Sequence, residues 1–147
     1  MQPFVHLHVH SQYSVLDGQA SVKALVDKAI ANGMRGIALT DHGNMFGIKE
    51  LTDYVNKKNK DVDGEIKNLK KTIEELKSAD AVDQEALSKA ETALKEAESR
   101  IFTPIIGCEM YVADNDMTDR SNKKDIGRHL IVLAKNQHGY HNLIKLV

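Results

Sequence analysis

The sequence predicts an α/β fold with parallel strands and, set into it, an antiparallel helical hairpin. Three observations predict this: an N-terminal stretch of strict apolar alternation, short apolar runs that alternate with stretches of helical period, and a central third of different composition. From Phe4 to His10, Val5, Leu7 and Val9 fall on one face and His6, His8 and His10 on the other, the two-residue period of a strand. After a loop through Asp17 and Gly18, Ser21 is placed to cap a helix carrying Val22, Leu25, Val26, Ala29 and Ile30. Asn32 and Gly33 supply its left-handed stop. Gly36 to Thr40 reads as a short buried strand, followed by a helix using Ile48, Leu51, Tyr54 and Val55. Pro104 to Ala113 reads as a third strand. His129 to Ala134 reads as a fourth, leading into a helix with Tyr140, Leu143, Ile144 and Val147.

The interruption lies between the second helix and the third strand. Residues 56 to 100 hold 21 of the chain's 41 charged side chains and no aromatic ring. Ile66, Leu69, Ile73 and Leu76, then Leu87, Ala90, Leu94, Ala97 and Ile101, recur at steps of three and four and mark two helices. Asp80 or Asp83 is placed to cap the second, and Glu85 to Lys89 and Glu91 to Lys95 are i,i+4 pairs in the favourable order. The organisation expected is 1–56, an inserted hairpin over 57–100, and 101–147. The hairpin's narrow apolar seam either packs on itself or docks a partner helix, and self-packing suits its charge-laced faces better.

At 147 residues the chain has room for one core, and 41% hydrophobic with 28% charged residues is ordinary globular usage. A net charge of −1 excludes a global field drawing the chain onto nucleic acid or an anionic membrane. A lone cysteine, Cys108, excludes an internal disulfide, and no Cys-x-x-Cys exists to build a zinc ribbon. The longest apolar run, Leu130 to Ala134, is far short of a membrane span, and no leader pattern opens the chain, so a cytoplasmic setting is expected.

The chemistry-bearing residues recur at the strands and their ends. His6, His8 and His10 share a strand face, so two of them can close on one cation. Asp41 and His42 end the second strand, Glu109 lies in the third and His129 opens the fourth. Ligand sites in α/β folds gather at the carboxyl ends of parallel strands, a rule His10, Asp41 and His42 obey directly. Glu109 and His129 obey it only if their strands are shorter or offset. Taken singly, Asp41 also suits a helix cap, Glu109 an edge charge and His129 a core position. Cys108 points away from Glu109 by strand alternation and reads as a core thiol. His138 and His141 read as a helix cap and a surface residue. Segment 114–128 sets Arg120, Lys123, Lys124 and Arg128 against Asp114, Asp116, Asp119 and Asp125, a mixture that suits a solvated loop better than a phosphate site.

Together, His6-Leu7-His8-Val9-His10-Ser11, Thr40-Asp41-His42-Gly43 and Gly107-Cys108-Glu109 resemble the ordered motifs of the PHP (polymerase and histidinol phosphatase) family. Tyr13 to Gly18, Asn44 to Gly47, Pro104 to Val112, His129 to Ala134 and Gly139 to Leu143 extend the likeness to the N-terminal PHP domains of bacterial replicative DNA polymerase alpha subunits. The resemblance implies a distorted, TIM-like β/α barrel. It implies divalent metal ions (Zn, Mn, Fe or Mg) held by His8, His10, Asp17, His42, Glu109 and His129, with His6 and Asp41 behind them. It also implies phosphoester hydrolysis of the 3′–5′ exonuclease type, or action on pyrophosphate. Its implied partners are the remainder of a polymerase alpha subunit, DNA through the full-length protein, and a replisome proofreading subunit.

A complete β/α barrel takes about 250 residues, whereas only about 100 remain here outside the hairpin, so a partial barrel is expected. The family's late motifs, a further His or Cys and an Asp-x-His, would fall beyond Val147. Weak or absent hydrolysis by this chain alone follows, as does self-association through cut strand edges. The polymerase's own catalytic carboxylates are not among these residues. Two other functions suit the same motifs: a metal-stabilised scaffold for the polymerase, and a stand-alone phosphatase of the histidinol-phosphate type.

Overall fold

A computed structural model describes residues 4–79, 83–114, 116, 118 and 127–147. In chain order these form α1 (Val22–Ala31), β1 (Gly36–Leu39), α2 (Ile48–Lys77), α3 (Gln84–Arg100), β2 (Thr103–Val112), β3 (Arg128–Leu133) and α4 (Gln137–Leu146). The chain divides into two compact units, Met1–Tyr54 with Thr103–Val147, and Val55–Phe102.

The first unit is mixed α/β around a three-stranded sheet of order β1-β2-β3. β1 and β2 pair in parallel from Gly36↔Thr103 to Leu39↔Ile106, and an isolated parallel bridge between His42 and Glu109 continues the same offset. β2 and β3 pair antiparallel from Gly107↔Leu133 to Val112↔Arg128. The expectation of parallel strands throughout is therefore corrected at β3. A parallel return needs a crossover that can pack on the sheet, and segment 113–127 offers only Ala113, Met117 and Ile126 as apolar residues.

The N-terminal stretch corrects a second expectation. Phe4–His10 is not a regular strand, although it runs alongside β1. The His6 and Val9 carbonyls accept from the Ala38 and Thr40 amides at 2.9 Å, so three steps on one side match two on the other. The extra residue is absorbed in a bend at Leu7, as in a bulge, and the strict alternation is lost. Leu7, on the face expected to be buried, is 50% exposed.

Local signals act where the sequence places them. The Ser21 hydroxyl accepts from the Ala24 amide at 3.2 Å and begins α1, and Gly33, at φ 74°, lets the chain leave the helix through a conformation costly for other residues. Asn136, not His138, caps α4 by accepting from the Gly139 amide at 2.9 Å. Val22, Val26, Ile37, Ala38, Leu51, Cys108 and Leu143 make the core of this unit.

In the second unit, ion pairs Lys77–Glu91, Lys70–Glu98 and Arg100–Glu65 ascend one helix as they descend the other, so the two helices run antiparallel. The helix expected over Ile48–Val55 and the first hairpin helix are one continuous 30-residue α2. No proline or capping signal separates their seams, and Gly64 alone is a mild interruption. Asp83 caps α3, accepting from Glu85 and Ala86 at 3.0 Å, while Asp80 lies outside the described residues. Lys89 pairs with Glu85 at 2.5 Å as expected, whereas Glu91 turns to Lys77 across the hairpin. Ile73, Ala97 and Phe102 are buried here, and the Asn59 side chain binds both backbone groups of Phe102, at 2.8 and 3.0 Å. No helix among the described residues is long and apolar enough to cross a membrane.

Candidate metal centre

The site is built around one buried carboxylate. Glu109 sits seven residues into β2 and is 5% exposed. Its Oε2 lies 3.0 Å from His10 Nε2 and 3.1 Å from His42 Nδ1, and its Oε1 lies 3.0 Å from His129 Nδ1 and 3.6 Å from His8 Nε2. Asp17 joins through His42, its Oδ2 being 3.1 Å from Nδ1. His8 and His10 bring their Nε2 atoms to 2.9 Å of each other.

Each donor arrives for a stated backbone reason. The continued β1-β2 offset sets His42 beside Glu109, secured by Glu109 donating its amide to Asp41 O at 3.1 Å and Gly43 donating to Glu109 O at 2.8 Å. Gly43 makes that turn at φ 64°, where a side chain would be strained. His129 is the second residue of β3, and because β3 is antiparallel it lies at the same rim as the later part of β2, opposite Tyr111. The misfit of His129 with an all-parallel sheet disappears once β3 is reversed, and Glu109 lies just past the carboxyl end of the stretch of β2 that pairs with β1.

Asp41 lies behind the donors, and among the described residues no metal-ligand grouping includes it. At 1% exposure it accepts from the Ser11 amide at 2.7 Å, the Ser14 hydroxyl at 2.7 Å and the Ser11 hydroxyl at 2.9 Å, and Ser14 Oγ in turn accepts from the His42 amide at 3.0 Å. It thus ties the loop after His10 to the start of the His42 turn. His6 stands apart: its ring packs edge-on against Phe4 at 4.8 Å, and it enters none of the donor groupings.

Ser11, Ser14 and Tyr111 were not singled out by spacing. The two serines lie within the quoted motif, and a buried aspartate needing hydroxyl partners is the signal that would have found them. Tyr111 sits two residues after Glu109 on the same strand face, which is a sufficient signal once the strand is known. Cys108 lies on the other face, fully buried, and burial pushes its thiol above its usual value of 9.0. Of the basic residues in segment 114–128, Arg128 pairs with Asp114 at 2.8 Å, while Arg120, Lys123 and Lys124 lie outside the described residues.

The donor set fits a cation. Three groups converge, His8-His10-Glu109, His10-Asp17-His42 and His42-Glu109-His129, each with ligand atoms within 4.8 Å of one another. Donors held about 2.0–2.1 Å from a common ion lie about 2.9–3.4 Å apart, the spacing of most of these pairs. Among the described residues, the ion-pair partners of Glu109 are all histidines. A buried carboxylate ringed by imidazoles, which are bases as readily as cations, is best compensated by a metal. The cluster lines a cavity of about 430 Å³ open to solvent, with His8 and His129 half exposed at its rim.

This combination of a short α/β sheet with a histidine and carboxylate centre defines a class. The family model for the PHP domain matches residues 6–147, and the chain belongs to that family. It is similar to the DNA polymerase III subunit alpha of Treponema pallidum (strain Nichols), with 40% identity over 146 residues, and to that of Borreliella burgdorferi, with 37% over 148. The subunit of Chlamydia trachomatis serovar D is 32% identical over 145 residues. These matches cover 97% of this chain but only 8–9% of the relatives' length.

Proposed function

We propose that the chain is the metal-binding portion of a PHP domain in a bacterial replicative polymerase alpha subunit, a module built for metal-dependent phosphoester hydrolysis. The observation that carries this reading is the convergence of His8, His10, His42 and His129, from separate stretches of chain, on the buried Glu109, with Asp17 joined through His42. His8, His10, Asp17, His42, Glu109 and His129 would hold divalent ions. Such ions lower the pKa of bound water and steady charge on a phosphoryl oxygen.

The chain's own residues supply position and access. Glu109 is the shared carboxylate, its two oxygens serving different histidines. Asp41 and Ser14 hold the His42 turn, and Gly43 closes it. The rings of His8 and His129 stand half exposed at the rim of the cavity. The substrate class proposed is a phosphodiester such as a DNA 3′ end, consistent with the polymerase relatives.

In this reading residues 1–56 and 101–147 form part of a distorted TIM-like barrel, and 57–100 is a hairpin inserted at its surface. The division of the chain near Tyr54 and Phe102 supports it. The test is titration of this chain with Mn²⁺ and Zn²⁺, and hydrolysis of a 3′-mismatched primer by a complete alpha subunit carrying this domain, each with His10→Ala as control. Expected are stoichiometric metal uptake lost in the variant and metal-dependent turnover lost with it. A chain that takes up neither metal would overturn the assignment. Metal uptake without turnover in the complete subunit would leave the structural scaffold as the function.

A further inference from the structure

Tyr111 occupies a place that the ligand set leaves unexplained. It stands directly opposite His129 in the β2-β3 register and two residues beyond Glu109, so its side chain emerges on the face of the metal centre. Its hydroxyl is hydrogen-bonded to His42 Nε2. Its ring centroid lies 4.9 Å from those of both His42 and His129, with interplanar angles of 63° and 89°. His42 and His129 themselves meet edge-on at 4.9 Å, so the three rings brace one another.

We infer that Tyr111 is a positioning residue that locks the His42 imidazole with Nδ1 turned toward Asp17 and Glu109. The inference rests on the metal-centre reading above. An imidazole can rotate by half a turn about its bond to Cβ at little cost in shape, and a partner on its second nitrogen reinforces the orientation that the partners of the first select. In His42 that second nitrogen is Nε2, and Tyr111 is its partner. A hydroxyl suits the task because it both donates and accepts. It can meet Nε2 as a bare nitrogen when Nδ1 carries the proton, and as an N–H when Nδ1 serves as a ligand atom. A carboxylate or carbonyl could only accept.

The ring and the hydroxyl do separable work. The ring braces both His42 and His129, while among the described residues the hydroxyl acts on His42. Tyr111 is 53% exposed, so removing its oxygen leaves no buried group unsatisfied on its own side.

The experiment compares this chain with its Tyr111→Phe and Tyr111→Ala variants by two readouts: nuclear Overhauser contacts of the His42 ring protons, on Cδ2 and Cε1, in metal-free protein, and Zn²⁺ affinity by competition with a chromogenic chelator. In the native chain those contacts should fit one ring orientation. In Tyr111→Phe contacts belonging to both orientations should appear, with Zn²⁺ affinity reduced about 10–100-fold. Tyr111→Ala should lose more, because His129 is freed as well. Native His42 ring contacts together with native Zn²⁺ affinity in Tyr111→Phe would overturn the inference while leaving the metal centre standing. A native chain without Zn²⁺ affinity would overturn the metal centre, and the His42 ring contacts would still decide the role of Tyr111.

Discussion

His129 Nδ1 lies 3.0 Å from Glu109 Oε1, across the pair of strands that run in opposite directions. Each carboxylate oxygen of Glu109 thereby serves a different group of histidines, Oε2 facing His10 and His42, Oε1 facing His129 and His8. Glu109→Gln keeps the shape but makes one of the two positions an amide that cannot ligate. Metal uptake should fall by more than the roughly 10–100-fold typical of outer-shell changes. Isothermal titration with Mn²⁺ checks this, and circular dichroism of the variant should match the native chain.

Asp41 is a structural anchor, and its loss should be felt in stability before function. Asp41→Ala would strand the Ser11 amide and the hydroxyls of Ser11 and Ser14 in a buried place. Each unsatisfied buried group costs about 1–3 kcal/mol, so urea denaturation should show a loss of about 3 kcal/mol or more. Asp41→Asn, which can still accept through its carbonyl, should lose less.

Gly107 is fixed by a close approach. A Cβ there would stand 2.7 Å from the Val132 carbonyl oxygen, 2.7 Å from a Leu133 methyl and 2.8 Å from a Thr40 methyl. Backbone cannot yield as a side chain can, so Gly107→Ala should destabilise the chain by about 1–3 kcal/mol through overpacking. The same change at Gly64 meets nothing within 4 Å and, lying in α2, should stabilise by about 0.5–1 kcal/mol. Paired thermal melts of the two variants test both signs at once.

Burial, the main cause, raises the Cys108 thiol above 9.0, with Asp41 and Glu109 adding to the rise. The thiolate is the reactive form, so native Cys108 should react with a disulfide reagent at pH 8 at least about tenfold more slowly than in denaturant. A folded-state value above the unfolded one means this group's contribution to stability is complete below about pH 9 and is lost as pH rises further. Reaction at the denatured rate in native buffer would contradict the buried placement.

The sequence by itself determined the local elements and the identity of the donors. Ser21 and Gly33 bound α1, apolar runs marked β1, β2 and β3, and the motifs around His8, His10, Asp17, His42, Glu109 and His129 supplied residues whose side chains meet in one cluster. Local rules reach that far because caps, turns and periods are set by neighbours within a few residues. Tertiary structure alone decided the reversal of β3 and the bend at Leu7, because each depends on which distant backbone groups exchange hydrogen bonds. The fusion of two expected helices into α2 follows from the sequence itself, which gives no local reason to stop between them. The role of Asp41 as an anchor followed from its contacts with Ser11 and Ser14, 30 and 27 positions away, and the meeting of Tyr111 with His42 from strand register. Register is a pairing between residues about seventy positions apart, and no window of sequence contains it.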